Sequence, residues 1–276
     1  MDINKTTSRC AGFLVSAMLA GCGGGGGGET RVGDSSRSNG IGGPGGGVNN
    51  LAPPPTPGIH GLHAGSLSNG LSHAMFVLDD EEFYIMYGIP AGGDLYAVGF
   101  FHGDGALNNG SLSAPDVRDY STTGTVQSGS LSASFKPGVS LNGSVASGSS
   151  TLTFTSAPPP SSPYNFHAAA NPANITGAWN IRGMQGMAVV LSIGTNGAFT
   201  GSVGGGCSLS GTMTPRASGK NVFDMAFVYG PAPCVSPGMS MTGIALEYRL
   251  PDGRQQLVVA GADSGRTMGE AFLGAR

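Results

Sequence analysis

The residues of this chain whose types could do chemistry fall into a few sets. The densest is the acidic run Asp79-Asp80-Glu81-Glu82. A calcium site needs about six or more oxygen ligands at suitable spacing, and the EF-hand pattern with its central glycine is absent. Four consecutive acids between two apolar segments read instead as a solvated turn tip. His60, His63, His73 and His102 form the second set. His60 and His63 are three apart, which puts them on opposite faces of a strand and makes them a poor pair for one metal. They read as surface or edge histidines. Serines are plentiful, but no Gly-x-Ser-x-Gly elbow occurs, and residues 174–276 contain no histidine to build a triad there. Carboxylates outside 79–82 are too scattered to offer a pair for glycoside hydrolysis. The expectation is a non-enzyme, with no catalytic set, no metal site and no cofactor. Trp179, the only tryptophan, reads as a barrel plug or core residue rather than a ligand-stacking platform, and Tyr96, Phe100, Phe101 and the methionines Met184, Met187, Met213, Met225, Met239 and Met241 lie in strand patterns and read as core.

The four cysteines lead to location. Lys5 and Arg9 precede an uncharged, mostly apolar run, Cys10 to Ala20, far shorter than the roughly 20 residues of a membrane-spanning helix. Leu19-Ala20-Gly21-Cys22 then resembles the lipobox of bacterial lipoproteins. That resemblance implies cleavage before Cys22, lipid on its sulfur and N-acylation of the new terminus. Several acyl chains at about 0.8 kcal/mol per buried methylene anchor firmly. Gly23 rather than Asp after Cys22 implies, by the same resemblance, the outer membrane. Cys10 then leaves with the signal peptide and Cys22 carries lipid, so Cys207 and Cys234 are expected to pair as a disulfide in an oxidising compartment. The alternatives are a zinc pair or reactive thiols. No CxxC is present.

Composition fits an exported β protein behind a leader. Glycine makes up 50 of 276 residues, against a usual share of about 7%, and charged residues only 11%. The net charge is −3, without a basic cluster, so neither nucleic acid nor an anionic membrane surface is an expected partner. Residues 1–21 are the signal peptide. Residues 22–57 read as a disordered Gly-rich tether closed by Pro53-Pro54-Pro55-Thr56-Pro57. Its glycine run lacks the flanking strand and helix that a phosphate-binding loop needs.

From residue 58 onward, short strands alternate with turn signals. In 58–156 the apolar runs His73–Leu78 and Phe83–Tyr87 suggest burial on both faces, and 130–155 alternates apolar with Ser or Thr. Turns are marked at Asn69-Gly70, Asn109-Gly110, Pro137-Gly138 and Ser147-Gly148. Residues 157–173 read as a Pro/Ala-rich linker. Residues 174–276 hold eight short strand segments. The fold class is therefore all-β, with two small antiparallel units, each an up-and-down barrel or a sandwich. Pro137–Gly143 and Pro237–Gly243 share four of seven residues and suggest a weak internal repeat. The strands are too short, and the aromatics too irregular, for a membrane barrel.

Two stretches, 58–88 and 197–276, resemble uncharacterised lipoproteins of betaproteobacteria. The most specific part is the frame Gly206-Cys207, Gly211-Thr212-x-x-Pro215-Arg216 and Ala232-Pro233-Cys234. More loosely, a lipid tether followed by small barrels is similar to surface lipoproteins that capture host proteins. These resemblances imply a lipid-anchored outer-membrane binding or adhesion module. A periplasm-facing structural lipoprotein, or a lipocalin-like carrier of a small apolar ligand, are the alternatives, and an open or a filled barrel interior decides the last.

Overall fold

A computed structural model describes residues 58–91, 94–160, 164–184 and 186–276. Residues 1–57, which hold the expected signal peptide, Cys22 and the expected tether, lie outside the described residues. The rest is almost entirely antiparallel β structure, and the choice between barrel and sandwich resolves to two closed barrels.

The first barrel runs β1 (Gly61–Leu67), β2 (Ser72–Val77), β3 (Glu82–Ala91), β4 (Asp94–Asp104), β5 (Ala106–Asn108), β6 (Ser111–Ser121), β7 (Gln127–Lys136), β8 (Ser140–Ser147) and β9 (Ser150–Ala157). Each strand pairs with its sequence neighbour, β4 reaches past the short β5 to pair with β6, and β9 closes on β1. β6 spans Ser111–Ser121. A register shift between Ala114 and Val117, at Pro115-Asp116, lets that strand run on to Ser121. Turn chemistry works as the sequence indicates: Asn109 and Gly110 both take positive φ, 44° and 83°.

The second barrel is a plain up-and-down meander: β10 (Gly177–Gly183), β11 (Ala188–Ile193), β12 (Ala198–Val203), β13 (Cys207–Pro215), β14 (Phe223–Tyr229), β15 (Ser240–Arg249), β16 (Gln255–Ala262) and β17 (Gly269–Ala275). The β10–β17 pairing closes it. On β14 the period-2 rule is visible directly, with Phe223, Met225, Phe227 and Tyr229 buried and the residues between them exposed. Pro137–Gly143 and Pro237–Gly243 enter the eighth strand of the first barrel and the sixth of the second, so they do not mark equivalent strands. What they share is a turn. Gly138 and Gly238 have φ of 68° and 76°, and Val139 and Met239 each donate to the carbonyl three residues back.

Both lumens are packed. Met75, Phe83, Ile85, Phe101, Leu112, Leu131, Leu141 and Phe154 fill the first, and Trp179, Leu191, Phe199, Met225, Phe227, Met241, Leu257 and Phe272 fill the second. Trp179 is a core residue. Its indole N–H donates to the Ile175 carbonyl at 2.7 Å, and the Arg276 guanidinium covers the ring at 4.0 Å. A carrier of the lipocalin type needs an open lumen, and these interiors are filled. The lumen-facing side chains are apolar, whereas the interior of a membrane barrel is polar.

A third apolar cluster lies between the barrels. Phe76, Tyr84, Met86 and Phe100, pointing out of the first barrel, meet Ile244, Leu246, Val258 and Ala260 of the second. This seam explains the two-faced apolar runs of β2, β3 and β16. At Gly269 a Cβ would run into the rings of Tyr120 and Phe100, so the close approach of the barrels requires glycine there. The segment read as a linker contributes too. Tyr164 and Phe166 are buried in the seam, and a short helix, α1 (Pro172–Ile175), capped by Asn171, leads into β10.

Two of the histidines read as surface or edge residues are interior. His63 and His73 are both only 3% exposed. His63 Nε2 lies 2.6 Å from the Ile59 carbonyl, but His63 Nδ1 and both nitrogens of His73 have no hydrogen-bond partner among the described residues. The His73 ring sits edge-on to Phe154. Burial, with a small contribution from neighbouring His63, pushes His73 down to about 4. The unfolded chain takes up that proton near its ordinary value of 6.5, so the stabilising neutral state is complete above that pH and is lost as pH falls toward 4. At 1.36 kcal/mol per unit, the loss is about 3 kcal/mol. His73→Leu is expected to lack this loss, so urea unfolding at pH 8 and pH 4.5 should show the variant gaining about 2–3 kcal/mol over the wild type at the lower pH only. An unchanged difference between the two pH values would contradict the assignment.

Candidate functional site

Two places outside the lumens gather polar side chains. The first is the edge of the seam. Asp79-Asp80-Glu81-Glu82 is the β2–β3 turn, but it is not simply solvated. Glu81 has φ of 64°, which turns the chain so that Glu82 begins β3 facing the second barrel. Arg216, from the β13–β14 connection, reaches across. Its guanidinium nitrogens lie 3.1 Å from Glu82, 3.3 Å from Asp80 and 2.7 Å from Asp224. Tyr84 donates to Glu82 at 2.7 Å, and His102 Nε2 lies 3.1 Å from the same carboxylate oxygen while its ring stacks on Tyr84 at 4.4 Å. Burial pushes the Glu82 carboxyl up, but His102, Tyr84 and the Arg216 charge outweigh it and hold it down at about 2. A second bridge, Arg266 to Asp116 at 2.6 Å, ties the β16–β17 turn to β6. These groups border a 530 Å³ groove floored by Thr212, Thr214 and Thr242 of the second barrel.

The second place is one end of the second barrel, where the turns after β10, β12, β14 and β16 meet. Cys207 opens β13, and Cys234 sits in the long β14–β15 loop. They form the expected disulfide, with Cα atoms 4.5 Å apart and 27 residues between them in sequence number. Beside Cys234, Val235 is fully exposed. Below the loop lies a 260 Å³ hollow lined by Met187, Val203, Tyr229, Pro233, Val235, Met268 and Glu270, among others. A neighbouring 160 Å³ hollow, toward Tyr120 of the first barrel, shares Met187, Met268 and Glu270 and adds Met184. Burial pushes the Glu270 carboxyl up, partly offset by a hydrogen bond with Tyr229.

Of the residues singled out from sequence, the structure joins Glu82 and His102 in the seam and Cys207 with Cys234, whereas His60 stacks loosely on Phe166 at 6.1 Å. Phe101 is lumen core and Phe100 seam core, but Tyr96 is exposed rather than core. Met184 is buried as expected, whereas Met187 and Met239, expected as core, are half-buried; Arg216, Arg266, Glu270 and Met268 carried no local signal. Only Arg216, within the Pro-Arg of the cysteine frame, stood in a stretch already marked. Among the described residues no group of three or more His, Cys, Asp or Glu side chains is placed to hold a metal, and no helix is long and apolar enough to cross a membrane. Comparison with protein-family models, curated proteins and solved structures returns no match for this chain.

The seam makes a definite expectation. Replacing Arg216 with Met leaves Glu82, which is largely buried, without its cation, at a cost of about 2–3 kcal/mol in urea unfolding at pH 7. Adding Glu82→Gln to that variant should recover part of the loss. A single variant as stable as the wild type would show that the cross-barrel ion pairs are ornamental.

Proposed function

We propose that the chain is a non-enzymatic, lipid-anchored lipoprotein of the outer membrane that acts as a binding or adhesion module at the cell envelope. The observation that carries this reading is the order Leu19-Ala20-Gly21-Cys22, six glycines, a proline stop and then a compact folded body. Lipid on Cys22 fixes the chain at the membrane, and the Gly/Pro-rich stretch lies in sequence between that anchor and the β structure. Two filled barrels support binding by outer surfaces and loop ends rather than by enclosure. The disulfide across the end of the second barrel supports an oxidising compartment. A structural lipoprotein facing the periplasm shares the same anchor and differs in the leaflet it occupies.

Cells producing the protein and fed labelled palmitate should incorporate label into the wild-type chain and none into Cys22→Ala, which should leave the membrane fraction. Absence of label in the wild type would remove the anchor from the account. Protease added to intact cells should cut the folded body or tether of a surface module. Full protection, with cutting only after the outer membrane is opened, would favour the periplasm-facing reading.

A further inference from the structure

The turn end of the second barrel has an unusual concentration of thioethers. Met184 and Met187 lie in the β10–β11 turn, Met239 immediately precedes β15 and Met268 immediately precedes β17. Elsewhere methionines fill the lumens, as Met213, Met225 and Met241 do. Met187 and Met268 are different: each is only half-buried, and each lines both hollows at the barrel end. Met184 faces the smaller hollow with them, and Glu270 is the acidic residue of both. The Ser236 hydroxyl, 3.8 Å from the Met268 sulfur, turns that thioether toward the disulfide loop. The Tyr229 hydroxyl hydrogen-bonds the Glu270 carboxyl.

We infer that this barrel end is a binding site for a soft monovalent metal ion, Cu(I) or its surrogate Ag(I), held by the thioethers of Met184, Met187 and Met268 with Glu270 as the neutralising carboxylate. The chemistry follows from the donor set. Thioether sulfur is a soft, neutral ligand that favours Cu(I) over zinc, calcium or magnesium. Cu(I) has a filled d shell and accepts the low, irregular coordination that flexible methionine side chains provide. Charge selects in the same direction. One carboxylate in a largely apolar hollow is balanced by a single positive charge, whereas a divalent ion would leave a net charge away from water. Cys207 and Cys234 are tied up in the disulfide, so no thiolate of the folded body competes for the ion. The site is independent of the lipid anchor and stands whether or not Cys22 is acylated.

The test uses the full chain in detergent with Cys10→Ser and Cys22→Ser, which removes the free thiols and keeps the disulfide. Anaerobic Cu(I) bound to bicinchoninate is titrated with the protein, and Ag(I) binding is measured separately by calorimetry. One equivalent should transfer, with Zn(II) showing no comparable binding. The double variant Met187→Leu/Met268→Leu should weaken Cu(I) by about tenfold or more, and Glu270→Gln should weaken it less. Met239→Leu, at the same end but outside both hollows, should bind as the parent does. Leucine is close to methionine in volume, so folding is expected to survive, and unchanged Trp179 emission checks it. No transfer from bicinchoninate, or equal affinity in parent and double variant, overturns the proposal.

Discussion

The structure depends on a shared apolar seam between two barrels that are each already closed. A closed barrel needs only its inward face to be apolar, because closure leaves no strand edge to protect. Here β2, β3, β15 and β16 are apolar on both faces, so each barrel carries a hydrophobic surface that water would not tolerate. Packing Phe76, Tyr84, Met86 and Phe100 against Ile244, Leu246, Val258 and Ala260 removes both surfaces at once. Tyr164 and Phe166, on the connection between the barrels, fill the same seam, so the covalent link is also part of the core. Arg216 works at the edge of this contact. Its three carboxylate partners come from both barrels, which makes it a cross-link whose strength depends on the apolar packing that partly excludes water around it.

Much of this was legible in the sequence, and the reason differs by element. Strand positions were readable because glycine turns with positive φ punctuate alternating segments, as at Asn109-Gly110 and Ser147-Gly148. The run from Phe83 to Tyr87 announced burial on both faces, but a sequence does not say what lies on the second face. That is a long-range fact, set by which residues of the second barrel are left apolar on the outside. The same limit applies to Glu82. Locally it ends an acidic turn, and only the arrival of Arg216, 134 positions away, turns it into a buried ion-pair partner. His63 and His73 were misjudged for a related reason. Two-residue periodicity places them inside once the register of β1 and β2 is known, yet polar type argued for the surface. The Pro/Ala-rich composition of 157–173 masked Tyr164 and Phe166, whose burial depends on the barrels meeting. The cysteine pair was legible because the expected removal of Cys10 and lipidation of Cys22 leave few choices.

Function is shaped by where the architecture leaves chemistry. With both lumens packed, polar and soft donor groups are displaced to the seam edge and to the turns at one barrel end. The seam edge is largely self-neutralising, since its arginines are matched by carboxylates. The barrel end is not: it combines a half-buried carboxyl, several thioethers, a fully exposed valine and a disulfide that holds the loop in place. The chemistry left to the outside of the two packed barrels is therefore concentrated at that end.

The dependence of each barrel on the other through the seam is the central claim, and Trp179 makes it measurable. As the only tryptophan, buried in the second barrel, it reports on that barrel alone, whereas far-ultraviolet circular dichroism reports on strands of both. Equilibrium urea unfolding followed by both signals on the same sample should give coincident transitions with one midpoint, because neither barrel can keep its outer apolar face without the other. Two separated transitions, with substantial β signal surviving after Trp179 emission has shifted, would show that the barrels are independent units and would contradict the account.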